Sequence, residues 1–137
     1  MYMNAYLTFD GKCEEAFRLY ARVLGGELPL MMRFSDAPED MGIPEAERQR
    51  IMHVRLQVGD QVLMGSDTCQ GMPYEGIRGV SVSVNVDSKA DAQRIFDGLA
   101  EGGKVTMALE KTFWAALFGV LEDRFGVAWM INCEHDR

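Results

Sequence analysis

The sequence has few of the residues that build disulfide frameworks, metal clusters or membrane spans. Its 137 residues include three cysteines, four prolines, two histidines and two tryptophans. The cysteines are far apart and form no C-x-x-C pair, so we expect neither a disulfide framework nor a zinc cluster. The longest apolar run is about nine residues, well short of the roughly 20 that a membrane-spanning helix needs. The first residues alternate like a strand and lack a basic region, which predicts a cytoplasmic protein without a targeting segment.

Basic residues are also scarce. Lysine and arginine total 14 against 21 aspartates and glutamates, which gives a formal net charge of −7. An acidic surface repels phosphate backbones and anionic lipid headgroups, so we expect neither nucleic acid nor a membrane as partner. Hydrophobic residues make up 47% and charged residues 26% of the chain. This composition is typical of a globular protein, and the length predicts a single domain over 1–137.

An internal repeat organises the chain. The matching residues are Asp10 and Asp87, Lys12 and Lys89, and Gly25-Gly26 and Gly102-Gly103, all at the same offset. In both copies an alternating strand precedes the aspartate, an amphipathic helix follows it, and the glycine pair ends the helix. Three strand-like runs come after each helix. The pattern predicts an α+β fold of two tandem βαβββ modules, at 1–68 and 77–135.

The boundaries of these elements can also be predicted. The expected strands after the helices are Glu27–Phe34, Arg50–Val58, Gln61–Ser66, Lys104–Leu109, Phe113–Leu121 and Val127–Cys133. Asp10 is a plausible N-cap of the first helix, and Ser88 with Asp91 forms a possible capping box for the second. The first module has a longer connection at 35–49, which could be a lid or a surface decoration.

Several motifs resemble the PhnB-like branch of the vicinal-oxygen-chelate superfamily, which includes glyoxalase I, extradiol dioxygenases and bleomycin-resistance proteins. The motifs are Tyr6-Leu-Thr-Phe-Asp-Gly-Lys-Cys-Glu-Glu-Ala-Phe17, Leu24-Gly-Gly-Glu27, Ile51-Met-His-Val54, Leu63-Met-Gly-Ser-Asp67 and Asp123-Arg-Phe-Gly-Val-Ala-Trp-Met-Ile-Asn132. The resemblance implies that each module curls into an incomplete barrel around a cavity, and that the protein is a homodimer. Members have carried a 3-demethylubiquinone methyltransferase label, but no glycine-rich strand-to-helix turn is present to hold S-adenosylmethionine.

The metal enzymes of that superfamily take one ligand from the first and last strand of each half. The resemblance places these positions on Asn4, Met64, Ser81 and Met130 of this sequence. None is a histidine or a carboxylate, and two thioethers with an amide and a hydroxyl would not hold Zn²⁺, Ni²⁺ or Mn²⁺. We therefore expect no metal and no cofactor.

His53 is the candidate catalytic residue. Strand alternation places His53 and Arg55 on one face of their strand and Val54 and Leu56 on the other. If the aliphatic set packs under the helix, His53 could act as a general base while Arg55 holds a carboxylate or phosphoryl group. The alternative is a structural histidine that bridges strands, with a solvated arginine beside it.

Other side chains are candidates for ligand binding, and they include Asn4, Met64 and Met130 at the superfamily positions. Tyr6, Ser66, Ser81 and Ser83 could orient a ligand or hydrogen-bond to one another. Trp114 could line a pocket or fill the core. Trp129 shares its strand face with Val127, which favours the core.

Three functions remain open. The first is a metal-independent small-molecule binding protein, similar to PhnB-like and bleomycin-resistance proteins. The second is a metal-free lyase or isomerase with His53 as general base. The third is an interaction module whose barrels are filled by Met64, Met130 and the tryptophans.

Overall fold

The computed structural model describes residues 1–38, 42–69 and 71–135 and divides the chain into two compact units, Met1–Gly76 and Ile77–Arg137. Each unit contains one four-stranded sheet that does not close on itself and one helix packed against it. This confirms the predicted α+β class and the incomplete barrels. Within the described residues no helix is long and apolar enough to span a membrane.

The first unit contains β1 (Tyr6–Phe9), α1 (Cys13–Leu24), β2 (Glu27–Arg33), β3 (Ile51–Val58) and β4 (Gln61–Asp67). Its strand order is β1-β4-β3-β2. The outer strand β1 pairs in parallel with β4, and the other neighbours are antiparallel. The long connection between β2 and β3 lies partly outside the described residues and includes two short 3₁₀ turns, Phe34–Asp36 and Glu45–Glu47.

The second unit repeats this arrangement with β5 (Ser81–Val86), α2 (Lys89–Ala100), β6 (Lys104–Glu110), β7 (Leu117–Glu122) and β8 (Ala128–Cys133). Its order, β5-β8-β7-β6, is equivalent. One predicted boundary is wrong, because β7 begins at Leu117 rather than Phe113. Thr112 closes a turn with Ala115, whose backbone N–H donates to the Thr112 hydroxyl at 3.1 Å. That turn takes Phe113 and Trp114 out of the strand.

A glycine lets each helix approach its sheet. A Cβ on Gly65 of β4 would lie 2.6 Å from the Phe17 ring, and a Cβ on Gly119 of β7 would lie 2.7 Å from the Phe96 ring. Side chains cannot approach that closely, so each phenylalanine packs directly on strand backbone. The same contact therefore falls on the fourth strand in the first unit and on the third strand in the second.

The predicted N-cap is correct for one helix and wrong for the other. Ser88 caps α2, since its hydroxyl accepts the Asp91 N–H at 3.1 Å. Asp10 does not cap α1: the N-cap is Lys12, which forms no side-chain cap. The Asp10 carboxylate instead accepts from the Arg50 guanidinium at 2.8 Å, because β3 brings that arginine beside the β1–α1 turn.

A buried carboxylate joins three segments of the first unit. Asp67, 4% exposed, accepts backbone N–H groups of Gly11 at 2.8 Å, Cys13 at 3.0 Å and Ile51 at 2.9 Å. Two of these donors, the N–H groups of Cys13 at the start of α1 and Ile51 at the start of β3, would otherwise be buried without partners. The sheet, the helix and the turn between them are therefore held in one arrangement.

Candidate functional site

One face of the first sheet packs under α1, and the opposite face is accessible. We call this accessible face the first open face. Its residues are Tyr6, Thr8, Leu30, Met32, His53, Arg55, Met64 and Ser66. All eight are half-buried or exposed, whereas Leu7, Phe9, Val54 and Leu56 on the helix side are at most 4% exposed. The alternation predicted for β3 therefore holds from His53 to Leu56. It fails at Ile51, which is buried beside an irregularity in the β2–β3 pairing.

Tyr6 and His53 meet on this face. The Tyr6 hydroxyl lies 3.1 Å from His53 Nδ1, and the two rings stack with centroids 5.7 Å apart. Since β4 lies between β1 and β3, the contact spans one intervening strand. When Tyr6 donates to Nδ1 of a neutral imidazole, the ring proton is on Nε2. The tyrosine then orients the ring and leaves an N–H donor for another group.

Arg55 lies next to this pair. It is exposed, two residues along β3 from His53, and opposite Leu30 on one side and Met64 on the other. Among the residues that the structure describes, none forms an ion pair with it. The guanidinium is therefore a free group of donors beside half-buried apolar side chains.

The second unit has an equivalent surface, which we call the second open face. Its side chains differ in chemistry from those of the first open face. Its residues are Ser81, Ser83, Asn85, Met107, Phe118, Val120, Met130 and Asn132. The Asn132 amide donates to Asn85 Oδ1 at 3.1 Å, and Asn85 lies 3.5 Å from the Ser83 hydroxyl. Beside Asn85 and Asn132 is a cavity of about 180 Å³ whose lining includes Asp87, Glu134 and His135. No basic residue stands where the first unit has His53 and Arg55.

The two tryptophans have opposite environments. Trp129 is fully buried, and its indole N–H donates to Asp123 Oδ2 at 2.9 Å. Asp123 also accepts the backbone N–H groups of Phe125 and Val127 and so caps the turn between β7 and β8. Trp114 is 49% exposed and packs edge-on against Phe113 and Phe118. It is therefore not a core residue.

The four superfamily metal positions can be compared with the strand register. Parallel pairing places Tyr6 opposite Met64, and Ser83 opposite Met130. Asn4 precedes β1 and is exposed, and Ser81 lies two residues before Ser83. Phenol, hydroxyl, amide and thioether groups do not fit a hard divalent cation, which prefers imidazole and carboxylate ligands. Nor does any cluster of three or more His, Cys, Asp or Glu able to hold a metal occur within 1–38, 42–69 and 71–135.

The turn between β1 and α1 does not fit S-adenosylmethionine either. Strand-to-helix turns that bind nucleotides offer free backbone N–H groups to an anionic part of the cofactor. Here the N–H groups of Gly11 and Cys13 already bind the carboxylate of Asp67.

Charged groups near α1 stabilise the first unit. The Arg50 hydrogen bond lowers the pKa of Asp10, and hydrogen bonds from Arg18 and Arg33 lower the pKa of Glu14.

Burial raises the pKa of the Cys13 thiol, with a smaller contribution from the charge of Asp67. Cys13 is therefore an unreactive core residue.

Most polar residues of the first open face could be predicted from the sequence, but two of its apolar residues, Leu30 and Met32, were not predicted. Tyr6, His53, Arg55, Met64 and Ser66 were expected and share the face. Leu30, Met32 and Thr8 also line it. The alternation of β2 could have identified Leu30 and Met32, but only the β2–β3 pairing places them beside Arg55 and His53.

The chain resembles proteins of one family along nearly its whole length. A family model described as 3-demethylubiquinone-9 3-methyltransferase matches residues 2–132. Protein YjdN of Escherichia coli (strain K12) is 34% identical over 145 residues, which cover 96% of this chain and 95% of that protein. The crystal structure of protein PA1353 from Pseudomonas aeruginosa is 54% identical, covers 99% of each chain, and superposes with a TM-score of 0.92.

More distant structures share the fold. The PhnB protein from Bacillus cereus is 22% identical with a TM-score of 0.81, and the match covers 97% of this chain and 99% of that one. A glyoxalase/bleomycin resistance protein/dioxygenase family enzyme from Burkholderia phytofirmans is 19% identical with a TM-score of 0.60, covering 98% and 97%. At these identities the likeness concerns architecture alone.

Proposed function

This chain belongs to the PhnB-like family described as 3-demethylubiquinone-9 3-methyltransferase, within the glyoxalase/bleomycin-resistance superfamily, and from that premise we propose that it binds a small molecule without a metal. The binding site is the first open face. One observation carries the proposal: Tyr6, His53 and Arg55 converge on an accessible surface next to half-buried apolar side chains. Small-molecule sites combine an apolar wall with a few placed polar groups.

A face filled by its own side chains would look different. Met64 and Met130 would be buried if they plugged the barrels, but both are only half-buried. Their exposure favours a binding face over an interaction module with filled barrels.

A screen by thermal melting tests the proposal. A ligand of the first open face raises the melting temperature progressively with ligand excess and is recovered chemically unchanged. Tyr6→Phe and His53→Gln reduce the shift. Ser83→Ala is the matched control, because Ser83 occupies the position of Tyr6 in the second unit.

Two results would contradict the proposal. One is about one equivalent of Zn²⁺, Ni²⁺ or Mn²⁺ in the purified protein, with a higher melting temperature when that metal is added. The other is a ligand shift that Ser83→Ala reduces and Tyr6→Phe does not.

The Tyr6–His53 hydrogen bond also favours a second candidate, a metal-free lyase or isomerase with His53 as general base. In the tautomer whose Nδ1–H donates to the Tyr6 oxygen, Nε2 of His53 is free to accept a proton from a substrate. This candidate predicts that the bound compound is converted and that His53→Ala abolishes turnover while much of the binding survives. Unchanged recovery of the compound from the wild-type protein would exclude it.

We propose a cytoplasmic homodimer as the working form. Phe113 is 97% and Trp114 49% exposed, and the Trp114 ring packs edge-on against Phe113 and Phe118. Apolar groups so close together on a surface usually mark a contact with another chain. Cys13, Cys69 and Cys133 are free thiols, as expected in a reducing compartment. Light scattering coupled to gel filtration measures the oligomeric state, and a mass of one chain would contradict the dimer.

A further inference from the structure

We propose that Arg55 and His53, with Tyr6 behind the histidine, bind an oxyanion group of the ligand, while the apolar body of that ligand packs against Leu30, Met32 and Met64. The ligand class is thus a small organic anion, a carboxylate or a phosphonate carried on an apolar or aromatic body. This inference rests on the proposed function, because it specifies the ligand of the same face.

The free polar groups at this position are donors. A guanidinium has five N–H donors and no acceptor, and its planar fork matches carboxylate and phosphoryl oxygens. When the Tyr6 hydroxyl donates to Nδ1, Nε2 of His53 carries the ring N–H and is a donor. The hydroxyl of Ser66, which follows the Val54–Gly65 pair on β4, can also donate. A ligand that satisfies these groups needs acceptor oxygens, preferably charged ones.

Arg55 forms no ion pair with any residue that the structure describes, although the protein is acidic. Arg18, Arg33, Arg48, Arg50 and Arg94 each form an ion pair with a carboxylate. Glu27 is the acidic residue nearest to Arg55 in the register, opposite Gln57, and the two form no ion pair in the part of the chain that the structure describes. In a chain of net charge −7, an arginine kept apart from carboxylates offers its charge to a ligand.

The spacing suits one small group. Arg55 and His53 project from the same face two residues apart, which corresponds to about 7 Å along a strand. Long side chains that converge from that distance can contact different oxygens of one carboxylate or phosphonate. Leu30 and Met64 flank Arg55, and Met32 is opposite His53, so apolar surface lies directly beside the donors.

The test is an NMR titration with four probes that share a phenyl ring and differ in charge. The ¹⁵N-labelled protein is titrated at fixed ionic strength with phenylphosphonate, benzoate, benzamide and benzylamine. We expect the two anions to cause saturable shifts at the amides of β3 and β4 around His53 and Arg55. The neutral and cationic probes should bind at least about tenfold more weakly. The ratio between phenylphosphonate and benzoate identifies which oxyanion the face prefers.

Two variants complete the test. Arg55→Gln should weaken anion binding about tenfold without changing the melting temperature, because Arg55 is exposed. Arg22→Gln is the matched control, since Arg22 is an exposed arginine in the last turn of α1. It should leave the affinity unchanged.

The possible failures are distinguishable. If benzamide or benzylamine binds the face as tightly as the anions, or if Arg55→Gln and Arg22→Gln have equal effects, the anion inference is overturned and the proposed function stands. If none of the four probes shifts the amides of the face, the anion inference is overturned, and the proposed function is decided by the thermal-melting screen.

Discussion

The two units have the same backbone register and opposite chemistry on their open faces. In the row of residues that crosses the first sheet, Tyr6 and Arg55 flank Met64; in the equivalent row of the second sheet, Ser83 and Val120 flank Met130. The helix sides are similar, since both bury aliphatic and aromatic residues. Packing constrains the helix side to apolar residues of suitable volume, whereas an open face is free to acquire binding groups.

The units also differ in how they use a buried aspartate. Asp67 accepts N–H groups from the start of α1 and from β3, which are 54 to 56 and 16 residues away. Asp123 accepts from groups two to six residues away, within one turn and the start of β8. The first aspartate therefore stabilises tertiary structure, and the second stabilises a local turn.

The largest effect is expected from removing these carboxylates. Asp67→Ala leaves the buried N–H groups of Cys13 and Ile51 unpaired and separates the segments that they belong to, so it should lower the free energy of unfolding by about 3–5 kcal/mol. Asp123→Ala should cost about 1–3 kcal/mol, because its partners lie only two to six residues away and the loss stays within one turn and the start of β8. Chemical denaturation measures both variants.

The exposed turn residue Asp60 supplies a control, since Asp60→Ala should change the free energy of unfolding by less than about 0.5 kcal/mol. Equal losses in Asp67→Ala and Asp123→Ala would remove the distinction between the two aspartates.

An intermediate effect is expected at the two packing glycines. Gly65→Ala places a Cβ 2.7 Å from the Leu7 carbonyl oxygen as well as against Phe17, and Gly119→Ala places one 2.9 Å from Leu109 Cα. Each substitution should cost about 1–3 kcal/mol through overpacking. Hydrogen exchange should locate the loss in the unit that carries the change.

Ser66→Ala, adjacent to Gly65 but on the open face, should have little effect on stability. A neutral result for both glycine substitutions would show that the helices can move on their sheets without cost.

The smallest effect is a difference in acid sensitivity. Ion pairs lower the pKa values of Asp10 and Glu14 in the folded state. The two carboxylates therefore contribute their full stabilisation at pH values above their pKa in the unfolded state, which is about 4. This stabilisation is lost as the pH falls from about 5 through the lowered pKa values of the folded state. Hydrogen exchange of the first unit should therefore increase over this range, and Asp10→Asn with Glu14→Gln should flatten the increase.

An equal acid response in the second unit would contradict this origin. Its ion pair between Asp91 and Arg94 is longer, at 3.5 Å, and more than half of each side chain is exposed.

Much of the architecture could be predicted from the sequence. The repeat, the helix stripes and the glycine stops predicted two βαβββ modules, and the strands that follow the helices begin and end within two residues of the prediction except at Phe113. The exception arises because strand propensity in Phe113-Trp114 is overridden by the turn that the Thr112 hydroxyl closes. The Asp10 cap failed for a similar reason, since Arg50 competes for the carboxylate.

By itself the sequence determined which residues alternate on each strand and which helix stripe faces a sheet, because both depend on local periodicity. Only the tertiary structure decided which side chains meet across strands. Tyr6 contacts His53 from 47 residues away, and Asp67 binds Gly11 from 56 residues away. Both contacts require β1 to pair with β4 and β4 with β3. That order follows from how the hydrophobic faces of all four strands pack under one helix, and no local pattern encodes it.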